Sequence, residues 1–234
     1  MDFQWPEELL DLRREALEVA RIWTADRDVL EDSWIVGTSR EFGLELGRRG
    51  WLGMTWPVEH GGRGRSALER FVVFETLIAA GAPLASSWFA DRQIGPTFLQ
   101  YGTDEQRTRY LPDIISGRSA WCIGMSEPDA GSDVAALHTR AVREAGGWRV
   151  NGQKVWTSGA ADADWCYLVA RTDPDAPPHA GLSEFVLDMR APGVRVEPIT
   201  DLTGNRHFCE VFLEDVIILG EDLAATENGS FRQI

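Results

Sequence analysis

The sequence predicts an α+β chain: an N-terminal all-helical domain followed by an antiparallel β-barrel or sandwich domain. Three observations carry the prediction. Apolar residues recur at helical spacing from Pro6 to about Ser116, and after Gly117 the pattern changes to short β-rich runs separated by turns. A chain of 234 residues with 44% hydrophobic residues can also bury a substantial core. The expected boundaries are 1–118 for the helical domain, 119–222 for the β domain and 223–234 for a short tail.

In the first half, Pro6 suits the start of a helix, and Leu9, Leu12, Ala16, Leu17, Ala20 and Trp23 supply its apolar face. A second helix is expected from Trp34 to Arg49. The glycines and proline of Trp51 to Gly64 then predict an ordered loop, and Gly61-Gly62-Arg63-Gly64 within it is a candidate phosphate cradle. Ser66 with Glu69, and Thr103 with Gln106, have capping-box spacing and open two further helices. Pro96 and Pro112 are expected to kink or divide helices, and the charges of Asp104, Glu105, Arg107 and Arg109 to form a solvated face.

In the second half, strands are expected at 120–125, 139–143, 148–150, 154–157, 165–171, 183–188, 194–198 and 207–214. Gly146-Gly147 and Asn151-Gly152 offer the positive φ angles of hairpin turns. Thr172 to Gly181, with three prolines, reads as an exposed loop. The tail from Gly220 has few apolar residues and no evident partner element.

A formal charge of −14 argues against nucleic-acid and anionic-membrane surfaces, so any phosphate must be met by local donors. Cys122, Cys166 and Cys209 are odd in number and sit in apolar strand-like runs, which predicts buried free thiols in a reducing cytoplasm. His60, His138, His179 and His207 are scattered, so no metal site is expected. The acidic start lacks a basic, apolar leader pattern, and no run reaches transmembrane length. Lys154 is the only lysine, which reads as codon bias rather than chemistry.

Chemistry concentrates in two runs, Met125-Ser126-Glu127-Pro128-Asp129-Ala130-Gly131-Ser132-Asp133 and Asn151-Gly152-Gln153-Lys154-Val155-Trp156-Thr157-Ser158-Gly159. The first places a turn rich in backbone donors beside hydroxyls; the second ends on a large aromatic ring and two more hydroxyls. Together they suit a flat, polar-edged ring and a phosphate. Taken alone, each run reads more readily as an ordinary turn or core strand; it is their occurrence together that points to the ligand. Glu127 and Asp133 are expected to accept backbone N–H bonds rather than act as an acid–base pair, so no catalytic residue is assigned.

These runs, in order with the Trp56-Pro57 loop and the Glu210 to Val216 strand, resemble the N-terminal and middle domains of acyl-CoA dehydrogenases. The resemblance implies FAD as cofactor and α,β-dehydrogenation of an acyl-CoA thioester, with hydride passing to flavin N5. It assigns Ile123, Gly124, Met125, Ser126, Ser132, Trp156, Thr157 and Ser158 to the cofactor, and Ser132 also to the substrate. Ser158 stands where the family more often has threonine, keeping the hydroxyl. An electron-transfer flavoprotein or similar acceptor, and homo- or hetero-oligomers, are the implied partners.

The family's catalytic glutamate belongs to a C-terminal helical domain, so the tail is expected to lead toward a domain absent from these residues. Two other readings share the resemblance. One is a non-catalytic flavin- or CoA-binding subunit of a heteromer, and the other a flavin oxidase or monooxygenase of the same fold.

Overall fold

The computed structural model describes residues 5–27, 29 and 32–232. The first four residues of the acidic start and the last two of the tail lie outside them. The helical half contains α1 (Glu7–Thr24), α2 (Ser33–Val36), α3 (Arg40–Arg49), α4 (Ala67–Ala79), α5 (Ala85–Phe89), α6 (Gly95–Tyr101) and α7 (Asp104–Ile115). A π-turn, Ala90–Ile94, joins α5 to α6.

Both capping boxes form: Ser66 and Glu69 open α4, and Thr103 and Gln106 open α7. The single helix expected over Trp34 to Arg49 is two. Gly37 leaves helical geometry, and the Ser39 hydroxyl caps α3 by accepting from Phe42 N–H. Pro112 sits inside α7 without ending it, and Pro96 lies in the first turn of α6. The core of this half packs Leu12, Ala16 and Val19 of α1 with Phe42 and Leu46 of α3 and Val73 and Leu77 of α4.

The β half contains β1 (Trp121–Gly124), β2 (Arg140–Glu144), β3 (Gly147–Lys154), β4 (Trp165–Arg171), β5 (Leu182–Asp188), β6 (Val194–Ile199), β7 (Phe208–Leu219) and β8 (Leu223–Ala224). The sheet runs β6-β7-β3-β2-β4-β5-β8, with β1 parallel to β4. It is mostly antiparallel and sandwich-like. It is not a closed barrel: β6 and β8 are edges, and β2 joins β4 through one parallel pair, Arg140 with Arg171.

Asn151-Gly152 makes no hairpin, and the two strands expected around it are one. β3 runs through, with a register shift against β7 between Val150 and Gly152. Asn151 and Asp215 bridge this irregularity. Asn151 Nδ2 donates to Asp215 Oδ1 at 3.1 Å, and Asp215 N–H donates to Asn151 Oδ1 at 2.9 Å. Gly152 is needed because any side chain there would overlap Thr139. The hairpin turn lies at Gly146, with φ 86°.

An aromatic cluster joins the halves. Tyr110 of α7 stacks on Phe98 of α6 at 5.2 Å and meets the edges of Trp121 and Trp165 at 5.4 Å each. Asp164 adds a polar tie by pairing with Arg40 and Arg190 and accepting Ala120 N–H. The tail does find partners: β8 pairs with β5, and Gln106 Nε2 donates to the Glu221 and Leu223 carbonyls at 2.8 Å each. Arg109 pairs with Glu221 and Asp222, so the charged face of α7 is partly spent on holding the tail.

Beneath the tail, Glu184 of β5 is buried and accepts from Tyr167 Oη at 2.8 Å and Ser230 Oγ at 3.3 Å. Burial pushes its carboxyl up to about 7, opposed in part by those two donors. A carboxyl raised by folding favours the native state fully below its unfolded value near 4.3. That contribution is lost as pH rises through about 7. Glu184→Gln is therefore expected to unfold with a shallower decline between pH 5 and pH 8 than the parent in urea titrations. The gap should approach at most about 3 kcal/mol, and parallel profiles would show that Glu184 stays ionised in the folded chain.

Candidate functional site

The two runs singled out in the sequence lie side by side at one end of the sheet. Met125 and Ser126 continue β1 alongside the end of β3, where Val155 N–H donates to the Ser126 carbonyl at 2.9 Å. Glu127 and Ala130 then exchange backbone bonds of 2.8 and 3.1 Å, closing the turn through Pro128 and Asp129.

Glu127 has the structural role expected of it. Its carboxylate accepts His138 N–H at 2.6 Å, Thr139 N–H at 2.8 Å and Lys154 Nζ at 2.8 Å. Burial alone would raise this carboxyl, but the Lys154 ammonium and the N–H donors outweigh it and hold it below the usual range. Lys154 is completely buried and donates a second bond to the Met125 carbonyl at 3.1 Å. Its burial outweighs the attraction of Glu127, so it lies below the ordinary lysine value. Reading the only lysine as codon bias was therefore incomplete, because it links the two runs. No local signal in the sequence pointed to this, since the pairing with Glu127 and the burial arise only on folding.

Ser132 is exposed on the bend before a 3-10 turn, Val134–Ala136. Arg171 holds that segment through the carbonyls of Ala135 at 2.6 Å and Leu137 at 3.3 Å, and reaches Pro178 at 3.1 Å. Nothing in the sequence singled out Arg171, since its partners are backbone atoms brought near only by the sheet.

Trp156 follows β3 in a left-handed conformation, φ 58°, and is 57% exposed. A bulky non-glycine residue there is strained and its ring faces outward, braced edge-on by Phe208 at 5.7 Å. Thr157 exchanges backbone bonds with Cys209 of 3.0 and 3.2 Å, while Gly159 N–H donates to His207 O at 2.8 Å. The Thr157 side chain is buried with its hydroxyl unpartnered, and Ser158 is half-exposed.

Ile123 and Gly124 belong to β1 itself. Gly124 packs where a methyl group would press on Cys166 Sγ at 3.0 Å. All three cysteines are buried free thiols.

Among the described residues, the N–H groups of Ser126, Trp156 and Ser158 have no protein acceptor. Trp156 carries one of them, Ser158 lies two residues further on, and Ser126 is bonded to Val155 beside them, so all three belong to the two paired segments that bear the outward-facing indole. Such an arrangement suits a planar ligand carrying carbonyl and nitrogen acceptors on one edge.

Two other candidates do not share this character. In the Gly61 to Gly64 loop every N–H is spent internally, on Val58, Pro57, Gly53 and Trp56 carbonyls, so it is no phosphate cradle. Its glycines instead let the chain close around Trp56, which would collide with any side chain at Gly62 or Gly95. An apolar cleft of about 680 Å³ in the helical half, lined by Phe71, Phe74, Ile78 and Trp88, contains none of the residues of the two runs. No cluster of potential metal ligands occurs among the described residues, and none of their helices is long and apolar enough to cross a membrane.

Comparison with known proteins places these features in context. Residues 7–118 match the description "Acyl-CoA dehydrogenase, N-terminal domain", and residues 122–216 match "Acyl-CoA dehydrogenase, middle domain". Acyl-CoA dehydrogenase IpdE1 of Mycolicibacterium smegmatis is 42% identical over 217 residues, covering 83% of this chain and 55% of that protein. Among solved structures, the Tcur3481-Tcur3483 steroid ACAD superposes with a TM-score of 0.92 at 37% identity, over 100% of this chain and 61% of its own. The ChsE4-ChsE5 complex from Mycobacterium tuberculosis gives 0.88 at 32% identity, over 100% and 60%. The chain thus spans little more than half the length of these relatives.

Proposed function

Because the chain belongs to the acyl-CoA dehydrogenase family, we propose that it forms the helical and β-sheet part of an FAD-dependent enzyme that dehydrogenates an acyl-CoA thioester. One observation carries this reading: the N–H groups of Ser126, Trp156 and Ser158, on two segments bonded side by side, have no acceptor among the described residues, and one of these segments bears the exposed, strained Trp156 ring. When bound, FAD supplies the hydride acceptor.

The residues of this chain hold and polarise it. Met125 and Ser126 would hold the ring edge through backbone and hydroxyl, Ser158 would add its N–H and hydroxyl, and Trp156 would pack against the ring. Ile123 and Gly124 carry the first run, and Thr157 anchors the second through Cys209. Ser132, exposed on its bend, serves the pyrophosphate and the acyl-CoA. Fixed donors facing charge that grows during reduction are worth roughly 2.7 to 4 kcal/mol each in a dry site.

Glu127 cannot abstract the substrate proton, because its oxygens are spent on Lys154, His138 and Thr139. We place that base in the part of the relatives this chain does not span, with 223–234 as the connection toward it. Likeness to the steroid ACAD favours a steroid-derived acyl-CoA substrate, and likeness to the ChsE4-ChsE5 complex favours assembly with a second chain. Electrons would leave to an electron-transfer flavoprotein or similar acceptor. A cytoplasmic setting fits the three buried thiols.

The test is anaerobic addition of acyl-CoA thioesters, a steroid-derived one first, to the full gene product loaded with FAD. Bleaching of the flavin band is expected; no bleaching with any thioester would leave the oxidase or monooxygenase reading in its place. Trp156→Ala should weaken FAD binding about tenfold or more. It should leave folding stability nearly unchanged, because the ring is more than half exposed. Flavin-fluorescence titration beside thermal melts checks both, and unchanged affinity would move the site elsewhere.

A further inference from the structure

We infer that Lys154 is a positioning residue for the flavin, setting the spacing between the donors of the first run and the indole of the second. The inference rests on the flavin reading above and adds a residue that touches neither ring nor substrate. Lys154 is the last residue of β3, two positions before Trp156. Its ammonium bonds the Met125 carbonyl at 3.1 Å and the Glu127 carboxylate at 2.8 Å, on either side of Ser126. The main chains add one bond, Val155 N–H to the Ser126 carbonyl at 2.9 Å.

Three bonds therefore converge on Met125, Ser126 and Glu127 from two adjacent residues of the second run. The free N–H groups of Ser126 and Trp156 lie on the two segments so joined. Glu127 extends the brace further, through the His138 and Thr139 N–H groups, to the chain leading into β2.

Energy alone does not account for such a pair. A buried ion pair often contributes no more than well-packed apolar side chains of the same volume, since desolvating both charges offsets their attraction. What it adds is direction. An ammonium with two fixed acceptors defines a distance and an angle that a methyl-terminated chain does not.

The test compares Lys154→Met, Lys154→Arg and the double variant Lys154→Met/Glu127→Gln in the full gene product. The double variant carries neither buried charge, so it keeps the measurement meaningful if the single variant is unstable. Three quantities are read: the FAD dissociation constant by fluorescence quenching, the visible flavin spectrum, and the melting temperature of the cofactor-free protein. The double variant is expected to recover part of the melting temperature lost by Lys154→Met, since it removes the unpaired charge but still leaves the Met125 carbonyl and one N–H without their partners. It should bind FAD about tenfold or more weakly with a shifted spectrum. Lys154→Arg should recover part of the affinity.

A double variant with parent stability, affinity and spectrum would overturn the inference and leave Lys154 a merely structural residue. A parent protein that takes up no FAD would overturn the flavin reading itself, and the inference with it.

Discussion

Glu127→Ala is expected to cost about 3 to 5 kcal/mol of folding stability, because it strands the Lys154 ammonium inside the protein without a counter-charge. Lys154 has no exposed surface from which to recruit water, and its remaining partner is the single carbonyl of Met125. The His138 and Thr139 N–H groups lose their acceptor at the same time. Each group left buried and unpaired adds about 1 to 3 kcal/mol before relaxation. Urea unfolding at pH 7 measures the loss, with Glu127→Gln as the comparison that keeps the shape and an acceptor oxygen. A loss below about 1 kcal/mol for the alanine variant would mean that the ammonium finds another partner or sheds its proton at little cost.

Gly117→Ala is expected to cost about 2 to 5 kcal/mol, from two independent causes. Gly117 has φ 72°, where an L side chain costs roughly 1 to 2 kcal/mol. The added methyl would also overlap the Gly43 carbonyl of α3, a backbone atom with nowhere to move, and such overpacking typically costs 1 to 3 kcal/mol. Gly117 ends α7 at the point where the chain crosses from helices to sheet, so the strain falls on the joint between the halves. Gly131→Ala is the control: no atom lies near its would-be methyl group, and its stability should stay within about 0.5 kcal/mol of the parent. Equal stability of both variants would show that α3 and α7 can part without penalty.

The sequence determined what depends on neighbours along the chain. Helical and strand periods, both capping boxes and the buried thiols were all legible, because each rests on residues a few positions apart. That Glu127 accepts backbone N–H bonds was legible from its place before Pro128 on a turn, but its donors, His138 and Thr139, lie 11 and 12 residues away and were supplied by the fold.

Tertiary structure decided what depends on the partner across space. Asn151-Gly152 has the local chemistry of a hairpin turn, yet β7 supplies Asp215 to bridge it and Thr139, just before β2, forbids a side chain at Gly152, so it became an irregularity within one strand. The glycines of the Trp56 loop have the composition of a phosphate cradle, but their N–H groups are spent on carbonyls of the loop itself. Closure of the sheet failed because β6 and β8 never meet, and the polar tail gained order from α7 and β5, neither of which its composition announces. Lys154 is the sharpest case. A single lysine carries no information alone, but folding brings it against Glu127 and out of water, where an unpaired charge cannot persist and a paired one fixes direction.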